Sequence, residues 1–151
     1  FRRFTGGKSR NLHAADGGKD IASRAAELCG GALAPNEHYW RGNMYISNID
    51  HQKVQTLTAL VNVMPGQIVS RTLAQNKAVS ITLFAFDKNE EISTHESGGD
   101  AFVTCLDGIG KITIDGVEYL LHEGESIVMP AGHPHAVYGQ EAFKMLLVVV
   151  F

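Results

Sequence analysis

From Met44 onward, apolar and polar positions alternate in short runs cut by turn residues, whereas the first 43 positions hold no such period. A period of two is the mark of strands that bury one face. It predicts strands over Gln67–Leu73, Ala78–Phe86, Ala101–Leu106, Lys111–Ile114, Val117–Leu121, Ser126–Met129, His135–Tyr138 and Phe143–Phe151. Gln75-Asn76-Lys77 separates the first two, and Asp115-Gly116 is a two-residue hairpin signal. Val54, Leu57, Leu60 and Val61 stand at helical spacing, so one short helix is one reading of the ambiguous stretch Lys53–Val61. Many short strands with little helix predict an all-β fold, a small antiparallel barrel or sandwich.

The two ends of the chain break this pattern. Over residues 1–43 only one piece is organised, with Asp20 as N-cap, Ile21, Ala25 and Leu28 on one helical face, and Gly30-Gly31 as a stop. A helix of about ten residues is marginal alone, so residues 1–43 read as a weakly structured extension of a barrel domain spanning 44–151. Arg41-Gly42-Asn43 precedes Met44 as a purine-rich ribosome-binding sequence would, which makes an over-extended start an alternative, and Phe1 in place of Met points to a processed or engineered beginning. At the other end, Phe143, Met145, Leu147, Val149 and Phe151 share one strand face while Leu146, Val148 and Val150 share the other. A strand apolar on both faces needs a second cover, and a partner subunit or the chain's own N-terminal segment would supply it. A homodimer is expected.

Composition narrows the class. With 151 residues, 44% of them hydrophobic, the chain has the size of one domain with one core. A net charge of -3 without a basic stripe argues against nucleic acid as a partner. The longest apolar run, Met145–Phe151, falls far short of the ~20 residues that span a bilayer, so no membrane role is expected. Two cysteines, Cys29 and Cys105, are too few and too far apart for a disulfide scaffold or zinc knuckle, and they fit a reducing cytoplasm. Cys105 shares parity with Ala101 and Val103, which favours core packing over a reactive thiol.

Candidate chemistry gathers around two histidines. Gly124-x5-Pro130-x-Gly132-x2-His135 resembles the second motif of the cupin superfamily, and Asn89-x5-His95-x-Ser97 followed by Gly108 resembles a degraded first motif. The resemblance covers about residues 67–151 and implies a double-stranded β-helix, the cupin barrel or jelly roll, often dimeric. In that family two His and a Glu of the first motif join the second-motif His around one metal. Here His95 holds the first of those places, Ser97 the second and Ala101 that of the Glu, and Gly139 stands where the second motif usually has Asn.

Alternation along a strand would point positions 95, 97 and 101 to one interior, with His135 arriving from another strand. That interior offers two imidazoles, a hydroxyl and a methyl, a poor cage for Mn, Fe, Ni or Zn when three protein ligands are the usual minimum. Asp100 would raise the count if Gly98-Gly99 let the loop shift inward. His133 reads as a rim residue and His122 as an exposed turn residue. The bland reading of His95 and His135 is a pair of cavity histidines bonded to each other, to water or to Ser97. Three functions follow. The first is a barrel that binds a small polar metabolite among His95, Ser97, Val103, Met129 and His135. The second is a metal-dependent isomerase, lyase or dioxygenase that uses His95, His135 and Asp100, with Glu96, Asp100 or an imidazole as acid or base. The third is a non-catalytic dimeric scaffold or sensory module.

Overall fold

The computed structural model describes residues 45–151. The expected helix after Asp20, Cys29 and the extension over 1–43 lie outside the described residues. Nine strands follow in order: β1 Ile68–Gln75, β2 Val79–Phe86, β3 Glu91–His95, β4 Asp100–Asp107, β5 Ile109–Ile114, β6 Val117–His122, β7 Ser126–Met129, β8 His135–Gly139 and β9 Phe143–Val150. Eight of these are the strands that the alternation predicts, within a few residues at each end. β3 is the addition, a strand too short and too polar to stand out by periodicity.

Two antiparallel sheets result, ordered β1-β2-β9-β4-β7 and β3-β8-β5-β6, the two layers of a jelly roll. Alternation sets their inner faces. On β4, Ala101, Val103 and Cys105 point inward and are buried; on β9, Phe143 and Met145 do the same. Phe86 and Phe143 stack with ring centroids 4.6 Å apart at one end of this core, and Ile112 and Val137 close it from the smaller sheet. Cys105 sits here as a packed side chain, and burial pushes its thiol pKa above the ordinary value, so the thiol stays protonated. Asp115 and Gly116 take positive φ of 51° and 81°, as the turn between β5 and β6 requires.

Part of the second cover for β9 comes from the chain itself. Leu146, Leu83 and Ala85 on the outer face of the larger sheet pack under Ile49, Leu57, Leu60, Val61 and Val63. The helix expected over Lys53–Val61 is a single 3-10 turn, Leu57–Ala59. Its entry residue Thr56 makes no capping bond, and Val54 is fully exposed, so the apolar spacing serves a strap across the sheet and not a helix face. Farther along the same face the cover given by these described residues thins. Val128, Phe102, Val148 and Ile81 are successive cross-strand neighbours on β7, β4, β9 and β2, and Val128 and Phe102 remain exposed.

Gly139 has a steric reason. A Cβ there would lie 2.5 Å from the carbonyl oxygen of Asp87, whose chain crosses the end of β8. Restoring the residue that the resembling motif usually carries is therefore unfavourable in this chain. Gly139→Asn is expected to cost about 1–3 kcal/mol in urea unfolding, the ordinary range for overpacking; an unchanged midpoint would contradict it.

Candidate functional site

The site begins with an irregularity in β3. Its ladder to β8 pairs Ile92 with Val137 and His95 with His135, so three steps on β3 face two on β8. Such a bulge adds one residue and resets the alternation. Ile92 and His95, which strict parity would send to opposite faces, both line the interior. Direct opposition also brings the two imidazoles together, with ring centroids 4.5 Å apart and planes at 63°.

Each ring is held by the carbonyl two residues before it. The Nδ1 of His95 lies 2.9 Å from the Ser93 oxygen, and that of His135 lies 2.8 Å from the His133 oxygen. A carbonyl only accepts, so each Nδ1 carries the hydrogen, and the neutral ring has its lone pair on Nε2. Neither Nε2 has a hydrogen-bond partner among the described residues. His135 is 2% exposed, and no buried polar side-chain atom is left unpaired there, so its Nε2 opens onto the cavity beside it.

That cavity measures about 180 Å³. Its polar end is made by His95, Glu96, Ser97 and His135; Ile92, Ala101, Met129, Val137, Met145, Leu147 and Val149 form the apolar walls. Positions 95, 97, 101 and 135 thus meet in one space, though not by the route that strand parity implies. β3 ends at His95, and Glu96–Gly99 crosses from the smaller sheet to the larger before β4 begins. Ser97 is fixed on this crossing. Its carbonyl accepts the Gly132 N–H at 2.9 Å and its Oγ accepts the Gly99 N–H at 3.2 Å.

Two expected site residues lie elsewhere. Asp100 does not swing inward: its Oδ1 accepts the Ala131 N–H at 2.9 Å on the exposed side of β4. Of the two glycines that would permit such a shift, Gly98 stands in open space but Gly99 packs against the Val150 carbonyl, where a Cβ would collide. Val103 lies one step past the cavity, where it packs between its neighbours Ile127 and Leu147 and is fully buried in the core without lining the space. Met129, opposite Ala101, does line it. The spacing pointed to Ala101, Ser97, Met129 and the histidines, whereas Ile92, Val137, Met145, Leu147 and Val149 go unmarked in the motifs. For all but Ile92, the signal was the inward parity of β9 and β8. His133 pairs with Asp115 at 2.6 Å and His122 with Glu125 at 3.0 Å, both in exposed positions away from the cavity. Glu125 is held below the usual carboxylate range, first by the backbone N–H of His122 and then by its ring.

The donor set does not fit a resident metal. Two imidazole nitrogens face the cavity, the Glu96 carboxylate is exposed at its border, the Ser97 hydroxyl already serves Gly99, Ala101 offers a methyl, and Asp100 is engaged outside. Among the described residues no three His, Cys, Asp or Glu side chains converge as a metal cage requires.

Comparison with known proteins agrees with this architecture. The model of the family described as "Cupin domain" matches residues 82–151. A conserved protein of unknown function from Streptococcus pyogenes is 53% identical, with a TM-score of 0.71 over 73% of this chain and 96% of its own. A cupin superfamily protein from Desulfitobacterium hafniense is 31% identical, with a TM-score of 0.67 over 70% of this chain and 97% of its own. Salicylate 1,2-dioxygenase from Pseudoaminobacter salicylatoxidans, solved with gentisate, is 15% identical with a TM-score of 0.52 over 58% of this chain and 25% of its own, a likeness of fold alone. No curated protein matches the chain. With the two-sheet barrel, the meeting of both motifs on one cavity and a superfamily member at 31% identity along nearly its whole length, the chain belongs to the cupin superfamily.

Proposed function

We propose that this protein binds a small metabolite inside the barrel, without relying on a resident metal. The observation that carries the reading is the cavity itself: apolar walls closed at one end by two imidazoles whose Nε2 atoms have no partner among the described residues. Concave sites with apolar walls and a few convergent polar groups are the usual form of small-molecule pockets. Native mass spectrometry of protein purified without affinity metal is expected to show a bound small molecule, and His135→Ala is expected to lose it. Protein that carries no adduct, and that shows no cavity resonance shifts in a fragment screen, would defeat the reading.

We also propose that two copies pair through the row Val128, Phe102 and Val148. Exposed Val128 and Phe102, continued by half-buried Val148, form an apolar patch across three strands that a monomer seldom leaves to water. Light scattering is expected to give twice the chain mass, and Phe102→Lys to halve it; a monomeric mass for the unaltered protein would refute the pairing.

A further inference from the structure

The way the two imidazoles are held narrows the kind of molecule that the cavity takes. Both Nδ1–H groups are spent on backbone carbonyls, those of Ser93 and His133, so the neutral pair meets a ligand as two acceptors side by side. Glu96 at the same end is acidic, and Ser97 keeps one hydroxyl hydrogen to give after accepting from Gly99. Among the described residues no Lys or Arg lines the space. A carboxylate or phosphate would face two lone pairs and an acidic side chain with one hydroxyl to oppose them, and would leave its charge unpaired against apolar walls; an ammonium would meet only neutral acceptors inside, because Glu96 is exposed at the border, and would lose its hydration to the same walls.

Size sets the second limit. A dry cavity of about 150 Å³ holds a benzene ring, so about 180 Å³ admits such a ring with two small substituents. The walls are aliphatic and thioether side chains, Ile92, Leu147, Val149, Met129 and Met145, which suit a hydrocarbon body.

We infer that the ligand is an uncharged compact molecule with two adjacent hydroxyl groups on a hydrocarbon frame of about six carbons. One hydroxyl donates to the Nε2 of His95 and the other to the Nε2 of His135, while Ser97 donates to a hydroxyl oxygen. This inference rests on the cavity-binding reading above and adds the donor pattern and charge of what is bound.

The test compares equally sized probes on the unaltered, chelator-treated protein by NMR titration: catechol, cis-cyclohexane-1,2-diol, benzoate and benzylamine. Both diols are expected to bind at least tenfold more tightly than benzoate or benzylamine, to shift the resonances of both imidazoles, and to lose at least tenfold in affinity with His95→Ala. That variant alters an exposed strand end and keeps the fold, which thermal melting checks. Benzoate or benzylamine binding as tightly as the diols would overturn the inference while leaving the cavity reading in place. If none of the four bound and a wider fragment screen also failed, both would fall.

Discussion

Phe143→Ala is expected to remove about 3–5 kcal/mol of stability, the cost of deleting a buried aromatic ring from a site that cannot close over the gap. Phe143 opens β9 and is 1% exposed. Its ring stacks on Phe86, and the space on its other side exists because residue 110 is glycine: a Cβ on Gly110 would lie 2.6 Å from the Phe143 ring. Collapse is hindered from a third direction, since the backbone of Ala142 and Phe143 packs directly on Gly108, where a Cβ would collide. The strands around the ring are therefore held at a spacing set by backbone contacts, and truncation leaves a cavity. Because domains of this size have about 5–15 kcal/mol in total, the variant should sit near its unfolding transition at physiological temperature. Urea unfolding monitored by circular dichroism measures it directly. A loss under about 1.5 kcal/mol, the range of a tolerated swap, would mean that the two sheets can slide together and that the core is less rigid than the contacts imply.

What was legible in the residues was whatever repeats with a strand's period or demands a special backbone angle. Gly124 and Gly132 take φ of 82° and 72°, conformations that few residues other than glycine adopt readily, so their places in the second motif marked real turns and delivered His135 to the interior. The two apolar faces of β9 likewise signalled a second cover, and residues 49–63 supply part of it. The bulge in β3 was not legible. It depends on how Glu91–His95 registers against β8, a tertiary outcome that leaves no periodic trace, and it decides that Ile92 joins His95 on the cavity wall. Asp100 was misplaced for a related reason. Spacing says how far apart two residues lie along a strand, but the Ala131 N–H that takes up its carboxylate comes from a turn more than thirty positions away. Val103 shows the limit of parity alone, because it shares a face with Ala101 yet lies deeper than the open space reaches.

The doubly substituted chain Ser97→His plus Ala101→Glu is expected to convert the pocket into a metal centre. Residues 97 and 101 both line the cavity together with His95 and His135, so the scaffold already brings four positions to one space and withholds only two donors. The histidines are already oriented as ligands should be, with each Nδ1 bonded to a carbonyl and Nε2 left to coordinate. Losing even an outer partner of a metal ligand typically costs 10–100-fold in affinity, so adding two direct ligands should raise affinity for Zn(II) or Mn(II) by more than about 100-fold over the unaltered protein. Without metal, the carboxylate introduced at position 101, where the present side chain is 1% exposed, would be buried among Met129, Met145 and Val149 and should lower the melting temperature. Saturating metal should then restore it, since a ligand that binds only the folded state stabilises that state. Adding His135→Ala to the pair should remove most of the gain. If the double variant folded yet bound metal no better than the unaltered protein, the four positions would not converge as the cavity indicates, and the reading of Ser97 and Ala101 as the two missing ligands would fail with it.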